Sequence, residues 1–302
     1  PPPPPPTPPS DISSAASDVY KRQLHMRRVG HTGTLDPFAS GLLVICAGRA
    51  TRLTELFHLL PKRYAAQVVL GVETTTDDLT GEPVERRDSW RDFDQADLEK
   101  ALVSLTGELS QVPPVYSAKR VQGRRAYTLA REGEPVQLDP AAVTVHSIQV
   151  TDWTPPIIEL DMWVSTGTYV RALARDLGRA LGCGGHLAAL RRTQIGPFEV
   201  REGMTVTELE SWRDSSAEPL DLMSPLRALR WLPLRSLDST EAEDVSHGKS
   251  VPEGTVLKAA SGGYPIDDTS SWPVALAYED ELVAVAARQA GALQPVKVLH
   301  AA

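Results

Sequence analysis

Cysteine is scarce in this 302-residue chain: Cys46 and Cys183 are the only two, and neither stands in a CxxC or CxxxC pattern. A disulfide scaffold and a cysteine-based structural zinc site are thereby excluded, and a reducing cytoplasm is the expected compartment. Long apolar runs are lacking too. None approaches the roughly 20 residues that a membrane-spanning helix needs. The first residues carry proline in place of the basic-then-apolar order of a secretory signal. An excess of basic charge is also missing, since 39 acidic residues outnumber 31 lysines and arginines for a net charge of -8.

Taken whole, that balance argues against a nucleic-acid partner, but the charges are unevenly spread. Lys21, Arg22, Arg27, Arg28, Arg49, Arg52, Lys62 and Arg63 face only Asp36 and Glu55 between residues 21 and 63. Further basic clusters are Lys119, Arg120, Arg124, Arg125 and Arg131, then Arg171, Arg175, Arg179, Arg191 and Arg192. Acid gathers elsewhere, as at 208–221 and 241–244. Two readings stand at this level: a basic working face with an acidic remainder, or ordinary solvated surface.

The order of apolar and breaker residues divides the chain. Residues 1–23, opening on a proline tract, cannot build a core and are expected to form a disordered or polyproline II tail that need not be native sequence. From 24 the pattern is globular. The run Leu42-Leu43-Val44-Ile45-Cys46 suits a buried strand, and Leu53, Leu56, Phe57 and Leu60 have helical spacing up to Pro61. Strands are expected at 64–72, 143–150 and 157–164, with helices at 93–105 and 169–181. Gly182 closes the second helix. After 226 a short helix at 239–246 precedes three strand-like runs at 274–278, 282–286 and 296–300, the first two joined by a turn at Glu279-Asp280-Glu281. Strands and helices mix without a regular βαβ repeat, so the fold class is α+β: a mixed, largely antiparallel sheet with flanking helices, plus a small β-rich part.

The densest punctuation is residues 30–41, with Gly30, Gly33 and Gly41 around His31, two threonines and Asp36-Pro37. No Gly-Lys-Ser/Thr follows, and the GxGxxG spacing is absent, so neither a Walker loop nor a dinucleotide fingerprint is present. An ordinary turn is one reading of this loop. The other is a close approach to phosphate or base, with Asp36 as an ionised nucleophile or base among cations. Arg171, Arg175 and Arg179 fall at i, i+4 and i+8, on one helix face away from the leucine stripe. By itself that is a solvated face; beside RNA it is a phosphate track.

The segment Arg28-Val29-Gly30-His31-Thr32-Gly33-Thr34-Leu35-Asp36-Pro37-Phe38-Ala39-Ser40-Gly41-Leu42-Leu43 closely resembles the signature of TruB-type pseudouridine synthases, which modify a uridine in the T-loop of tRNA. Further matches follow in order: Lys62-Arg63-Tyr64, the Thr-rich stretch from Gly71 to Gly81, Gln111 to Arg131, Ser165-Thr166-Gly167-Thr168-Tyr169-Val170-Arg171, and residues 187–192. The resemblance covers roughly residues 24–225. It implies isomerisation of uridine 55 in tRNA with no cofactor and no metal. Asp36 would be the catalytic carboxylate, attacking either base or sugar C1′, with Arg171 as its partner. Tyr169 would stand near the sugar and take part in proton transfer, Tyr64 would stack on the flipped uracil, His31 would fill the space the base vacates, and Leu190 would close the pocket. Without the resemblance Tyr64 and Tyr169 read equally well as half-buried packing. Asp77-Asp78 alone hint at a metal, but no partner carboxylate lies at useful spacing.

The implied domains are a catalytic one over 24–225 and a PUA-like RNA-binding one over 226–302, the second matched through Gly248, Val251-Pro252 and residues 293–300. The implied partner is the tRNA T-stem-loop, bound by a cytoplasmic monomer without a membrane. One departure stands out. The family's Lys-Pro-x-Gly-x-Thr-Ser-type segment upstream of the signature is not found before Leu24, so a truncated or chimeric start is expected. Two other readings compete: an RNA-binding module without catalysis, and the guide-RNA-dependent branch of the superfamily.

Overall fold

The computed structural model describes residues 28–117, 119–121, 123–215, 220–259, 262–265 and 271–299. The expected tail over 1–23 lies outside them, as do Lys21, Arg22 and Arg27 of the first basic cluster. The described residues group into two compact units: those within 36–42 and 60–195, and those within 28–35, 43–59 and 196–299.

The first unit is built on the expected sheet. Its strands run in the order Gly185–Ile195, Lys62–Leu70, Ile157–Val164, Ala141–Thr154 and Gly107–Gln111, all antiparallel. The short strand Ser40–Gly41 adds itself parallel to Arg191 and Arg192. The sheet is therefore mixed and largely antiparallel. Alternation makes it one-sided: Ala66, Val68 and Leu70 are buried on one strand, and Ile158, Leu160, Met162 and Val164 on its neighbour.

Helix Val170–Ala180 buries Val170, Leu173, Ala174 and Leu177 of the apolar stripe expected from its spacing, while Leu181, the last of that stripe, follows the helix half-buried. The helix comes very close to the chain that follows it. A Cβ at Gly178 would stand 2.2 Å from the backbone of Gly184 and Gly185, and the Gly178 carbonyl accepts hydrogen bonds from the amides of Cys183 and Gly184. Gly182, at φ +73°, ends the helix in the left-handed conformation expected of it. Helix Gln95–Ser104 begins on a reciprocal cap: Asp94 accepts from the Asp97 amide at 3.0 Å, and Asp97 from the Asp94 amide at 3.2 Å.

In the second unit, Val29–His31 pairs antiparallel with Ile45–Ala47, and a 3-10 helix over Gly48–Leu59 buries Leu53, Leu56 and Phe57. The Phe57 ring lies 5.7 Å from that of Phe198 and 6.1 Å from that of Trp231. A five-stranded sheet follows in the order Leu234–Ser236, Val274–Tyr278, Glu281–Gln289, Ala292–Val298 and Val251–Pro252. It closes over a core of Val274, Leu276, Val283, Ala284 and Leu293 against Val245 of helix Ser239–Ser246. The hairpin turn stands where the sequence places it. Glu279 and Asp280 take φ +46° and +62°, as a two-residue turn matched to strand twist requires.

One expectation fails. Residues 42–46 are not a single buried strand. Ser40–Gly41 belongs to the large sheet, Ile45–Ala47 to the small one, and 42–44 runs between them without strand pairing. Gly41 is the cause. It sits at φ +104° with its Cα against the Arg192 backbone, where a Cβ would meet the Arg192 carbonyl oxygen at 2.2 Å, and the chain turns away there.

Candidate active site

Asp36 opens a tight turn in which its carbonyl accepts from the Ala39 amide at 2.9 Å. Leu35 is buried beside it, and Pro37 fixes the backbone on its other side. The carboxylate is left 30 % exposed. From the first turn of helix Val170–Ala180, Arg171 reaches it with both edges of its fork: Nε donates to Oδ2 at 3.1 Å and Nη2 to Oδ1 at 2.9 Å. The guanidinium itself is enclosed. Nη1 donates to the Thr76 carbonyl at 3.1 Å, Nη2 also to the Tyr116 carbonyl at 3.1 Å, and Asp78 Oδ2 stands 3.4 Å from Nη1. A planar cation fixed on three sides thus grips both oxygens of an accessible carboxylate.

The two tyrosines and Leu190 lie in the same unit. Tyr64 is half-buried on strand Lys62–Leu70, opposite Met162 on one side and Arg192 on the other. Leu190 is buried and pairs with Ala66, two residues from Tyr64, so Tyr64 and Leu190 share one sheet face. Tyr169 is half-buried directly before the helix. Its amide donates to Gln111 Oε1 at 2.9 Å and its carbonyl accepts from Gln111 Nε2 at 3.2 Å. That buried glutamine stands in the matched segment from Gln111 to Arg131, but the sequence assigned it no role. His31, in the other unit, pairs with Ile45 across its sheet, and its Nδ1 accepts from the Gly33 amide at 3.4 Å.

The helix arginines overturn the solvated-face reading. Arg171 and Arg175 are buried, and Arg175 donates to Asp77, Asp176 and the Val112 carbonyl, each at 2.9 Å. Arg179 pairs through two nitrogens with Glu73. Segments 73–78 and 112–116 cover this helix face at Arg171 and Arg175 and supply most of their acceptors, while Arg179 at its end stays 56% exposed. Asp77 and Asp78 each take an arginine, and among the described residues no group of His, Cys, Asp or Glu is placed to hold a metal ion. Much of the clustered basic charge is likewise engaged internally. Arg63 pairs with Asp161 at 2.8 Å, Arg124 with Glu132 and Glu134, and Arg49 donates to the Leu299 carbonyl at 3.1 Å.

Lys62 is a second residue the sequence left unassigned. Its ammonium is buried, donating at 2.7 Å to the Leu60 carbonyl and at 2.7 Å to Thr166 Oγ1, in the loop that leads to Tyr169. Burial, and then the nearby Arg192 cation, bring its pKa down from 10.5 to about 8. A folded pKa below the unfolded one means that the native state holds fewer protons between about 8 and 10.5. Stability contributed at this position therefore rises with pH across that window. Relative to Lys62→Met, the parent protein is expected to gain on the order of 2 kcal/mol between pH 7.5 and pH 10. Urea unfolding of both proteins at several pH values measures this, and a difference that stays flat refutes the buried-charge account.

Residues 21–170 match the family model described as TruB family pseudouridylate synthase (N terminal domain), and 171–230 the tRNA pseudouridylate synthase B C-terminal domain. The tRNA pseudouridine synthase B of Thermobifida fusca (strain YX) is 41% identical over 288 residues, covering 92% of this chain and 91% of that protein. This chain belongs to the TruB family. The tRNA pseudouridine synthase B of Synechococcus sp. (strain CC9311) is 42% identical over 245 residues, 80% of this chain and 81% of that protein. Among solved structures, a Cbf5-Nop10-Gar1 complex matches with TM-score 0.69 and 24% identity, over 95% of this chain and 81% of that one. An archaeal box H/ACA sRNP Nop10-Cbf5 complex matches with TM-score 0.67 and 22% identity, over 95% and 82%. These two likenesses establish the shared α+β fold. In this TruB-family chain the carboxylate that Arg171 holds is the Asp36 of the signature segment.

Proposed function

We propose that this chain isomerises uridine 55 in the T-loop of tRNA to pseudouridine, with Asp36 as the nucleophile. The observation that carries the reading is the half-open Asp36 carboxylate gripped by the enclosed Arg171 fork, in a chain of the TruB family. The reaction breaks the C1′–N1 bond and forms C1′–C5; N1 gains a proton and C5 loses one. It is redox-neutral, and no cofactor is called for.

Asp36 attacks the base or C1′ while the uracil detaches and turns. Tyr64 offers its ring as a stacking platform for the flipped uracil, and Leu190, on the same sheet face, closes the pocket against water. Tyr169, held through its backbone by Gln111, stands beside the sugar and moves the proton. His31 fills the gap left in the RNA stack, offsetting part of the unstacking cost. Residues 24–225 act as the catalytic domain, 226–302 as a PUA-like grip on the tRNA beyond the T-loop, and the protein works as a cytoplasmic monomer.

Relatives at 41% identity named tRNA pseudouridine synthase B support the stand-alone reading over the guide-RNA branch, whose structures match at 22–24% identity. Because C5 surrenders its hydrogen, a T-stem-loop transcript carrying 5-tritiated uridine must release tritium to water when mixed with the purified protein alone. Tight binding of that RNA with no release would mark an RNA-binding module, and release only with added guide RNA and proteins would mark the other branch.

A further inference from the structure

Arg175 lies one helical turn beyond Arg171, and it is buried with each of its three nitrogens engaged. Its Nη1 donates to Asp77 Oδ2, its Nη2 to the Val112 carbonyl and its Nε to Asp176. Asp77 separates the two groups that hold the back of Arg171, the Thr76 carbonyl and the Asp78 carboxylate. It is also strained, a non-glycine residue at φ +59°. Its own backbone is pinned on both sides: its amide donates to the Thr74 carbonyl at 3.2 Å, and its carbonyl accepts from the Leu187 amide at 3.0 Å. Thr74 Oγ1 reaches across this turn to the Asp78 carbonyl at 2.7 Å. The second loop is shared in the same way, since Arg175 takes the Val112 carbonyl and Arg171 the Tyr116 carbonyl.

We infer that Arg175 and Asp77 form a positioning clamp: Arg175 fixes the 74–78 turn and the 112–116 segment, these fix the Arg171 guanidinium, and Arg171 aims Asp36. Glycine at 77 would be the unstrained choice for this backbone, so the side chain there is kept for its carboxylate. The inference rests on the isomerase reading for its catalytic consequence, though not for its structural one.

The experiment uses the full chain with Arg175→Met, Arg175→Lys, Asp77→Gly and Asp77→Asn. Single-turnover tritium release from T-stem-loop RNA is measured beside RNA affinity, Tm and hydrogen exchange of the Arg171 Nε–H by nitrogen-15 NMR of the free protein. Arg175→Met and Asp77→Gly are expected to slow the chemical step by about 30-fold to 100-fold, as small misplacements of a reacting group do. RNA affinity should stay within about threefold, because Arg175 is buried away from solvent. Arg171 Nε–H exchange should quicken by about tenfold or more once its backing loosens. Asp77→Gly is the sharpest variant, since the backbone strain it relieves offsets part of the cost of leaving Arg175 with only Asp176 and the Val112 carbonyl, so Tm should fall modestly while the rate falls. Asp77→Asn, which tolerates this backbone and still accepts from Arg175, should lose less than Asp77→Gly. Should Arg175→Met not fold, Arg175→Lys and Asp77→Gly carry the same comparison. Parent-like rate and parent-like Arg171 exchange in Asp77→Gly would overturn the clamp. A parent protein that releases no tritium would instead remove the isomerase reading, while the exchange measurement still decides the clamp.

Discussion

Asp36→Asn and Asp36→Ala proteins are expected to bind T-stem-loop RNA with nearly parent affinity and to release no measurable tritium, a loss of more than about 10⁴-fold in rate. Asparagine keeps the shape of the side chain and one oxygen for the Arg171 fork. It presents no anionic oxygen to form a bond to carbon, so a positioning role alone would survive the change and a nucleophilic role would not. Folding should hardly alter, because Arg171 keeps the Thr76 and Tyr116 carbonyls and Asp78 as acceptors. Affinity should persist because Asp36 is a single anion, whose removal eases repulsion from RNA phosphates if it acts on binding at all. Single-turnover assays and fluorescence anisotropy on the same samples measure both quantities. Full turnover by the Asp36→Ala protein would end the assignment.

The part of this site legible in the sequence is the part carried by local chemistry. Gly30, Gly33, Gly41 and Asp36-Pro37 mark a loop with special backbone needs whatever surrounds it, and Gly41 does turn the chain against Arg192. The partner of Asp36 is 135 residues away, and no periodicity links the two; only the family resemblance joined them. The helix arginines show the limit most clearly. Spacing places Arg171, Arg175 and Arg179 on one face correctly, but whether that face meets water depends on loops far along the chain. Here the loops at 73–78 and 112–116 bring carboxylates and carbonyls, which makes burial of two guanidiniums tolerable. Lys62 was hidden for a similar reason, as its acceptors are the Leu60 backbone and a threonine 104 residues on. The run at 42–46 misled because an apolar stretch carries no mark of where a chain passes from one sheet to another. The Glu279-Asp280-Glu281 turn was legible because three consecutive acidic residues between two apolar runs mark a chain reversal at the surface.

Arg171→Lys and Arg171→Met should separate charge from geometry at the same centre. Lysine keeps the charge but not the fork, and one ammonium cannot give Asp36 two parallel bonds while also serving Thr76 and Tyr116. The expected result is a rate lowered by about 10²-fold to 10³-fold with RNA affinity within about threefold, since the guanidinium is only 7% exposed. Methionine removes the charge as well. Asp36 can turn to water, but Asp78 is enclosed, and its Oδ1 already accepts from Thr76 Oγ1 and from the amide and hydroxyl of Thr80. It cannot escape, so an uncompensated buried carboxylate remains, at a cost of about 3 kcal/mol in urea unfolding. That origin makes a further demand. Adding Asp78→Asn to Arg171→Met should return a good part of the lost stability, because the amide keeps an oxygen for Thr76 and Thr80 without the charge, yet it should return none of the activity. A double variant no more stable than Arg171→Met would show that Asp78 is not where the charge is felt. One that recovers turnover would show that Arg171 serves the fold of this loop and not the aim of Asp36.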